Sequence, residues 1–263
     1  MKRCGVNIHP TAIVSKKAKL SKDVSVGPYS VVGDEVVIGE GTVIGAHCII
    51  ENRITLGKRC QVFTGAVLGS LPQDLKYKGE PSFLEIGDEN IIREYVTINP
   101  GTTANSKTLV GNNNLIMAYS HIAHNCIIGD NCIIANCGTL AGYVSLEDKA
   151  VISGMVAIHQ FSRVGCLSII GGCSKVVSDV PPYSICDGHP ARVYGLNLVG
   201  LRRQGVDGEA IKQLGHAFKI LFNSGLSLRT ALKKLSEENF TSTEITHLID
   251  FIKNSKRGVC RHS

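Results

Sequence analysis

Several features that would assign a class quickly are missing from this 263-residue chain. No apolar run is long and charge-free enough to span a membrane. The basic start, MKRCGVNIHP, passes directly into patterned sequence without an apolar h-region, so no secretory signal is expected. No Cys-x-x-Cys pair occurs, which leaves no zinc-ribbon spacing among the ten cysteines. With no export signal, that many cysteines point to a reducing, cytoplasmic setting. Aromatic residues make up 5% of the chain, and no basic stripe is interleaved with them, which argues against a nucleic-acid partner. A nucleophile elbow is absent too, against Ser-His-Asp chemistry. The net charge of +6 is weighted toward the C-terminal third; it fits a solvated face, or a docking patch for an acidic partner or phosphates.

What is present is a count of six. Taken every sixth residue from Ile8 to Val176, all 29 positions are Ile, Leu or Val except Asp74, Glu80 and Ala104. This period fits neither an α-helix nor a plain strand; it is the signature of hexapeptide β-helix repeats, one short strand and one turn each. The residue after the aliphatic one is often Gly or Ala, as at Gly27, Gly39, Gly45 and Gly129. Four positions on it is often small, as at Ser30, Thr42, Cys48, Cys60, Cys126 and Cys132. Both columns are expected to face the inside of a triangular prism. Three hexapeptides make one coil, and coils stack about 4.8 Å apart. A β-sandwich does not hold such a phase.

Residues 8–70 are the most regular repeats and read as scaffold. Two polar stretches, 70–82 (SLPQDLKYKGEPS) and 99–108 (NPGTTANSKT), are expected to be ejected as loops, and loops on a rigid scaffold tend to carry function. Pro181 and Pro182 end the ladder. Helical periodicity follows over 208–222, 227–238 and 243–254, with Ser227 as an N-cap and Thr241 with Glu244 as a capping box. The expected organisation is a parallel β-helix over 1–187 and a small helical domain over 188–263. The helical part covers an open end of the β-helix or packs beside a neighbour.

The most unusual segment, MAYSHIAHNCIIGDNC, carries His121 and His124; His159 lies further on. One coil beyond His124 is Gly142, and one coil beyond that is Gln160, so the three should stack in a column. A base beside a bare backbone amide is an arrangement suited to acyl transfer. Gly154 and Gly172, also one coil apart, offer a smooth strip for an alkyl chain. Zinc at His121, His124 and His159 lacks an obvious further ligand, so no metal site is expected.

The motifs QDLKY (73–77), SHIAHN (120–125), LAGYVS (140–145), ISGMVAIHQF (152–161), GGCS (171–174), DVPPY (179–183), GLN (195–197) and GLRRQG (200–205) span the chain. With IGDENIIRE (86–94), they resemble the bacterial acyl-carrier-protein:UDP-N-acetylglucosamine O-acyltransferases, which begin lipid A synthesis. The resemblance implies a left-handed coil, a homotrimer with active sites between prisms, and a helical tail. It implies transfer of an (R)-3-hydroxyacyl chain from acyl carrier protein to the glucosamine 3-hydroxyl of UDP-N-acetylglucosamine. No cofactor is implied, since the carrier's phosphopantetheine thioester is itself a substrate. His124 matches the general base and Gly142 the oxyanion donor. Asp74 and Lys76, with Gln73 beside them, match sugar contacts, and so does His121. His159, Gln160, Asn197 and Arg203 match residues around the nucleotide and the carrier arm. Gly172 matches the position that limits acyl length, and as Gly it implies a long chain.

The chain departs from the family pattern at four points. Asn125 stands where many members have Asp, Tyr143 where the family usually has His, Val199 where an acidic residue is familiar, and Gln204 where a second basic residue is. The 3-amino sugar nucleotide therefore stays open as an acceptor. Two further alternatives are another hexapeptide acyltransferase and a non-enzymatic trimer.

Overall fold

The computed structural model describes residues 5–261; Lys2 and Arg3 of the basic start lie outside them. Each hexapeptide contributes a strand of two to four residues, hydrogen-bonded in parallel to the strands one coil before and after. Three sheets result, starting at Asn7–Ile8, Ile13–Val14 and Lys19–Leu20, and each takes every third strand. The chain is thus a β-solenoid followed by helices. The ladder residues stand in register. Val26, Ile44, Val62, Ile92, Ile116, Ile134, Ile152 and Ile170 face one another down the first sheet. The direct pairing of Val62 with Ile92, and of Ile92 with Ile116, means that each ejected loop removes whole hexapeptides from the ladder.

Burial follows the ladder. Ile38, Ile50, Leu68, Ile98, Ile122 and Leu140 are all fully buried. The first coil is the exception: Ile8 is 41% exposed, because no strand among the described residues stacks below it. The small column also faces inward, and its hydroxyls join the rungs. Ser30 Oγ donates to the Gly45 carbonyl at 2.7 Å and accepts from the Cys48 N–H at 3.0 Å; Thr42 repeats this with Gly57 and Cys60. Buried hydroxyls so paired carry no desolvation penalty. The Gly/Ala column is a correction to the expectation of two inward columns. Gly27 and Gly39 are only half-buried, and a Cβ on Gly27 would lie 2.5 Å from the Gly45 carbonyl oxygen. These glycines sit where one rung's backbone presses on the next. The turns are made instead by left-handed residues, one at most corners, such as Tyr119, Asn125, Tyr143 and Phe161.

The strand Ser184–Gly188 extends the first sheet in parallel, and Ala191–Leu196 then folds back antiparallel upon it. Four helices follow: α1 (Leu198–Arg203), α2 (Gly208–Phe222), α3 (Leu228–Ser236) and α4 (Thr243–Lys253). Ser227 caps α3 as expected, accepting from the Thr230 N–H. The capping box at Thr241 does not form. Ser242 is the N-cap of α4 and its hydroxyl donates to Glu244, while the Thr241 N–H goes to Gln213. Helix α1 has no counterpart in the sequence reading.

The tail packs on the last coils of its own chain. Arg163 Nε donates to Asp179 Oδ2 at 3.1 Å, and its guanidinium lies 3.9 Å over the Phe251 ring of α4. His247 of α4 reaches Glu147 through Nε2 at 3.1 Å and the Tyr183 hydroxyl through Nδ1 at 2.9 Å.

Asp179 is 1% exposed, so Arg163→Ala strands a buried carboxylate. A cost of about 3 kcal/mol is expected, read as a lower unfolding midpoint, with Arg163→Lys between the two. Hydrogen bonds to Cys166 and Glu147 raise the His247 pKa to about 10. A folded-state value above the unfolded one stabilises fully below about pH 6.5 and fades as pH rises through about 10. The difference in melting temperature between wild type and Glu147→Gln should therefore be larger at pH 6 than at pH 10.

Candidate active site

Successive rungs share the corner where the second sheet hands over to the third. Loops 70–82 and 99–108 leave from it, and His124, Gly142 and Gln160 occupy it on the next three rungs. His124 follows the strand His121–Ile122, and Asn125 turns the corner at φ 59°, a conformation asparagine tolerates.

The imidazole of His124 is held on two sides. Its Nδ1 lies 3.0 Å from Asn125 Oδ1. That oxygen also accepts from the Thr102 N–H at 3.2 Å and from Thr102 Oγ at 2.9 Å. An atom facing a backbone N–H must be the carbonyl oxygen of the amide. The network therefore assigns the ring proton to Nδ1 and leaves the lone pair on Nε2. Nε2 faces the Asp74 carboxylate at 3.9 Å, across from the first loop. The ring rests against Gly142, where a Cβ would lie 2.5 Å from Cε1 and 2.6 Å from Nε2. A side chain there would push the ring out of this position, and among the described residues no acceptor takes the Gly142 N–H.

A groove of about 880 Å³ opens at this point. Gln73, Asp74 and Lys76 line it from the first loop, Thr102 and Thr103 from the second, and His124, Tyr143 and Gln160 from the rungs. The Tyr143 ring meets His124 edge-on and stacks on Phe161 at 4.9 Å. Lys76 donates its N–H to Asp74 Oδ1, which fixes the carboxylate within its own loop.

The other predicted residues are placed differently. His121 stands on the strand before the corner, with Nδ1 2.7 Å from Thr97 Oγ. Burial, then the neighbouring His124, lowers its pKa, so it is neutral near pH 7. His159 is exposed, next to Gln160. Gly154 and Gly172 lie on the neighbouring corner, between the first and second sheets. A Cβ on either would meet nothing closer than 3.4 Å, so backbone crowding does not require glycine at either position. Asn197 and Arg203 line a second groove, of about 290 Å³, with Lys149, Val199 and Gln204. Asn197 is buried and its amide caps α1: it accepts from the Gly200 N–H and donates to the Leu167 carbonyl.

Known proteins match this chain throughout. Bacterial transferase hexapeptide repeats match residues 17–52 and 107–142. The second domain of Udp N-acetylglucosamine O-acyltransferase matches 179–260. The acyl-[acyl-carrier-protein]–UDP-N-acetylglucosamine O-acyltransferase of Thermodesulfovibrio yellowstonii is 49% identical over 97% of this chain and 99% of its own length. That of Thiobacillus denitrificans is 47% identical over the same shares. The chain belongs to this O-acyltransferase family.

Solved structures agree. A UDP-N-acetylglucosamine acyltransferase from Bacteroides fragilis superposes with a TM-score of 0.94 at 43% identity, covering 96% of this chain and 99% of that one. One from Francisella novicida gives 0.94 at 38%, covering 97% and 94%. The chain is thus an acyltransferase, and the groove at His124 is its candidate active site. Among the described residues no helix is long and apolar enough to cross a membrane.

Five residues that line the groove, Leu75, Glu80, Thr102, Thr103 and Phe161, are not among the site residues expected from the sequence. Phe161 was within reach, since it lies one coil beyond Tyr143. Thr102 was not, because its loop is outside the repeat count. Thr102→Val keeps the N–H and removes the hydroxyl that braces Asn125. It should lower kcat about fivefold with little change in KM, the worth of one neutral hydrogen bond, and Thr102→Ser should restore it.

Proposed function

We propose that the groove at His124 transfers an (R)-3-hydroxyacyl chain from acyl carrier protein to the glucosamine 3-hydroxyl of UDP-N-acetylglucosamine, as a step of lipid A biosynthesis. The observation that carries this reading is the His124 imidazole, with its proton set on Nδ1 by the Asn125 contact and its ring against Gly142, whose N–H finds no acceptor among the described residues. Nε2 takes the proton of the 3-hydroxyl as that oxygen attacks the thioester carbonyl. The Gly142 N–H donates to the oxyanion that forms. Collapse expels the carrier's thiolate, which takes the proton back from Nε2. The C–O bond replaces the C–S bond, and no cofactor enters the balance.

Gln73, Asp74, Lys76 and His121 hold the sugar in this reading, and the Tyr143 phenol replaces a histidine there. The open strip at Gly154 and Gly172 takes a long alkyl chain. Arg203 and the Asn197-capped helix α1 receive the nucleotide or the carrier arm, with His159 and Gln160 beside them. The two grooves share no lining residue. A homotrimer joins them, one copy supplying His124 and its neighbour Arg203. The carrier protein and sugar nucleotide place the enzyme in the cytoplasm.

His124→Ala should lose at least about 10²-fold in kcat, the usual cost of removing a general base. The assay uses (R)-3-hydroxyacyl carrier proteins of several lengths, with UDP-N-acetylglucosamine and its 3-amino analogue side by side. Turnover on the hydroxyl sugar, lost in His124→Ala, supports the proposal. Turnover on the amine alone moves the product to an amide and keeps the base. Wild-type turnover no better than the variant overturns the assignment.

A further inference from the structure

The tail brings three metal-ligating side chains together that the sequence keeps far apart. Glu147 follows the strand Ser145–Leu146, Cys166 follows Arg163–Val164 one coil on, and His247 comes from α4. One donor atom from each, a carboxylate oxygen, a thiol sulphur and a ring nitrogen, lies within 4.8 Å of the other two. All three residues are half-buried, and a cavity of about 340 Å³ opens on them, lined also by Ile127 and Leu146.

We propose that Glu147, Cys166 and His247 bind one transition-metal dication, zinc foremost, and so fasten the helical tail to the coils. Thiolate, imidazole and carboxylate together form a donor set that suits zinc over magnesium or calcium. Metal bonds of about 2.0–2.3 Å place ligand atoms roughly 3.3–3.8 Å apart. The His247 Nε2 to Glu147 Oε2 separation, 3.1 Å, is close to that; the sulphur lies 3.7 Å from the other ring nitrogen, Nδ1, and has to turn about its single χ1 toward the Nε2 side to reach the same ion.

The surrounding contacts are those of a ligand-orienting shell. The Tyr183 hydroxyl lies 2.9 Å from His247 Nδ1; with the proton on Nδ1, Nε2 faces the metal. The Cys166 N–H donates to Glu147 Oε2 at 2.8 Å and holds the carboxylate in place. Binding replaces the thiol proton and the second imidazole proton, both released to solvent, and the cavity leaves room for a water as fourth ligand. Without metal the same atoms form the hydrogen-bonded clamp between tail and coils. The difference is a bond to sulphur. The cavity shares no lining residue with the groove at His124, so this inference stands or falls apart from the acyl-transfer reading.

Cobalt(II) is the probe, added to the full chain after treatment with a chelator. One equivalent should give the near-ultraviolet charge-transfer band of a thiolate–cobalt bond, and zinc should displace it. Cys166→Ser should abolish the band although the other nine cysteines remain, and His247→Gln should weaken cobalt binding at least tenfold. Tyr183→Phe should weaken it about tenfold, as loss of a ligand's supporting partner does. Circular dichroism checks that each variant keeps its fold. No band, the same band in Cys166→Ser, or unchanged affinity in His247→Gln overturns the proposal and leaves the clamp alone.

Discussion

The fold depends on one constraint: every rung must hydrogen-bond to the rung below it in parallel and in register. That condition fixes the coil length, because a strand shifted by one residue would turn its aliphatic side chain outward. It also fixes what stands at the corners. Gly27 and Gly39 are small because the next rung's backbone leaves no room, and the left-handed residues beside them make the turns. The inward hydroxyls of Ser30 and Thr42 are tolerated because each finds a partner on the neighbouring rung. Even the two loops obey the ladder, since each leaves it and rejoins in phase.

The same constraint makes much of the protein legible in its sequence. An arithmetic step of one coil is a physical distance of one rung, so the stacking of Gly142 on His124 follows from counting alone. So does the pairing of Gly154 with Gly172. What the count cannot reach is whatever lies outside the ladder. Thr102 braces Asn125 from an ejected loop, where phase says nothing about which residue comes back to the corner. Helix α1 has six residues, too few to show a periodicity, and is held by its Asn197 cap. His247 meets Glu147 only because α4 folds back over the coils, a contact spanning far more chain than any repeat. The inward reading of the Gly/Ala column erred because smallness has two causes, and rung-to-rung crowding mimics burial.

Asn125 supports the imidazole through an amide, and an amide differs from a carboxylate in physical terms. A carboxylate at that position would accept from the imidazole and also offset its charge once the ring is protonated. The amide only accepts. It orients the ring through one oxygen, and that oxygen is shared with both donors of Thr102. The consequence is an imidazole whose tautomer is well set and which has an amide, not a charged group, behind it. Asp74, 3.9 Å in front of Nε2, is the nearest carboxylate, and it sits on a loop on the substrate side.

The position of that groove along the prism follows from the ends of the ladder. Among the described residues the first coil has no rung below it and leaves Ile8 exposed, while the last is closed by an antiparallel strand and four helices. His124 lies between, on a rung bonded above and below. Its backbone cannot shift without moving a rung whose neighbours are bonded on both sides. A backbone held in that way preorganises the position of the side chain it carries. Gln73, Asp74 and Lys76 reach the groove from a loop outside the ladder and have no rung above or below to hold them.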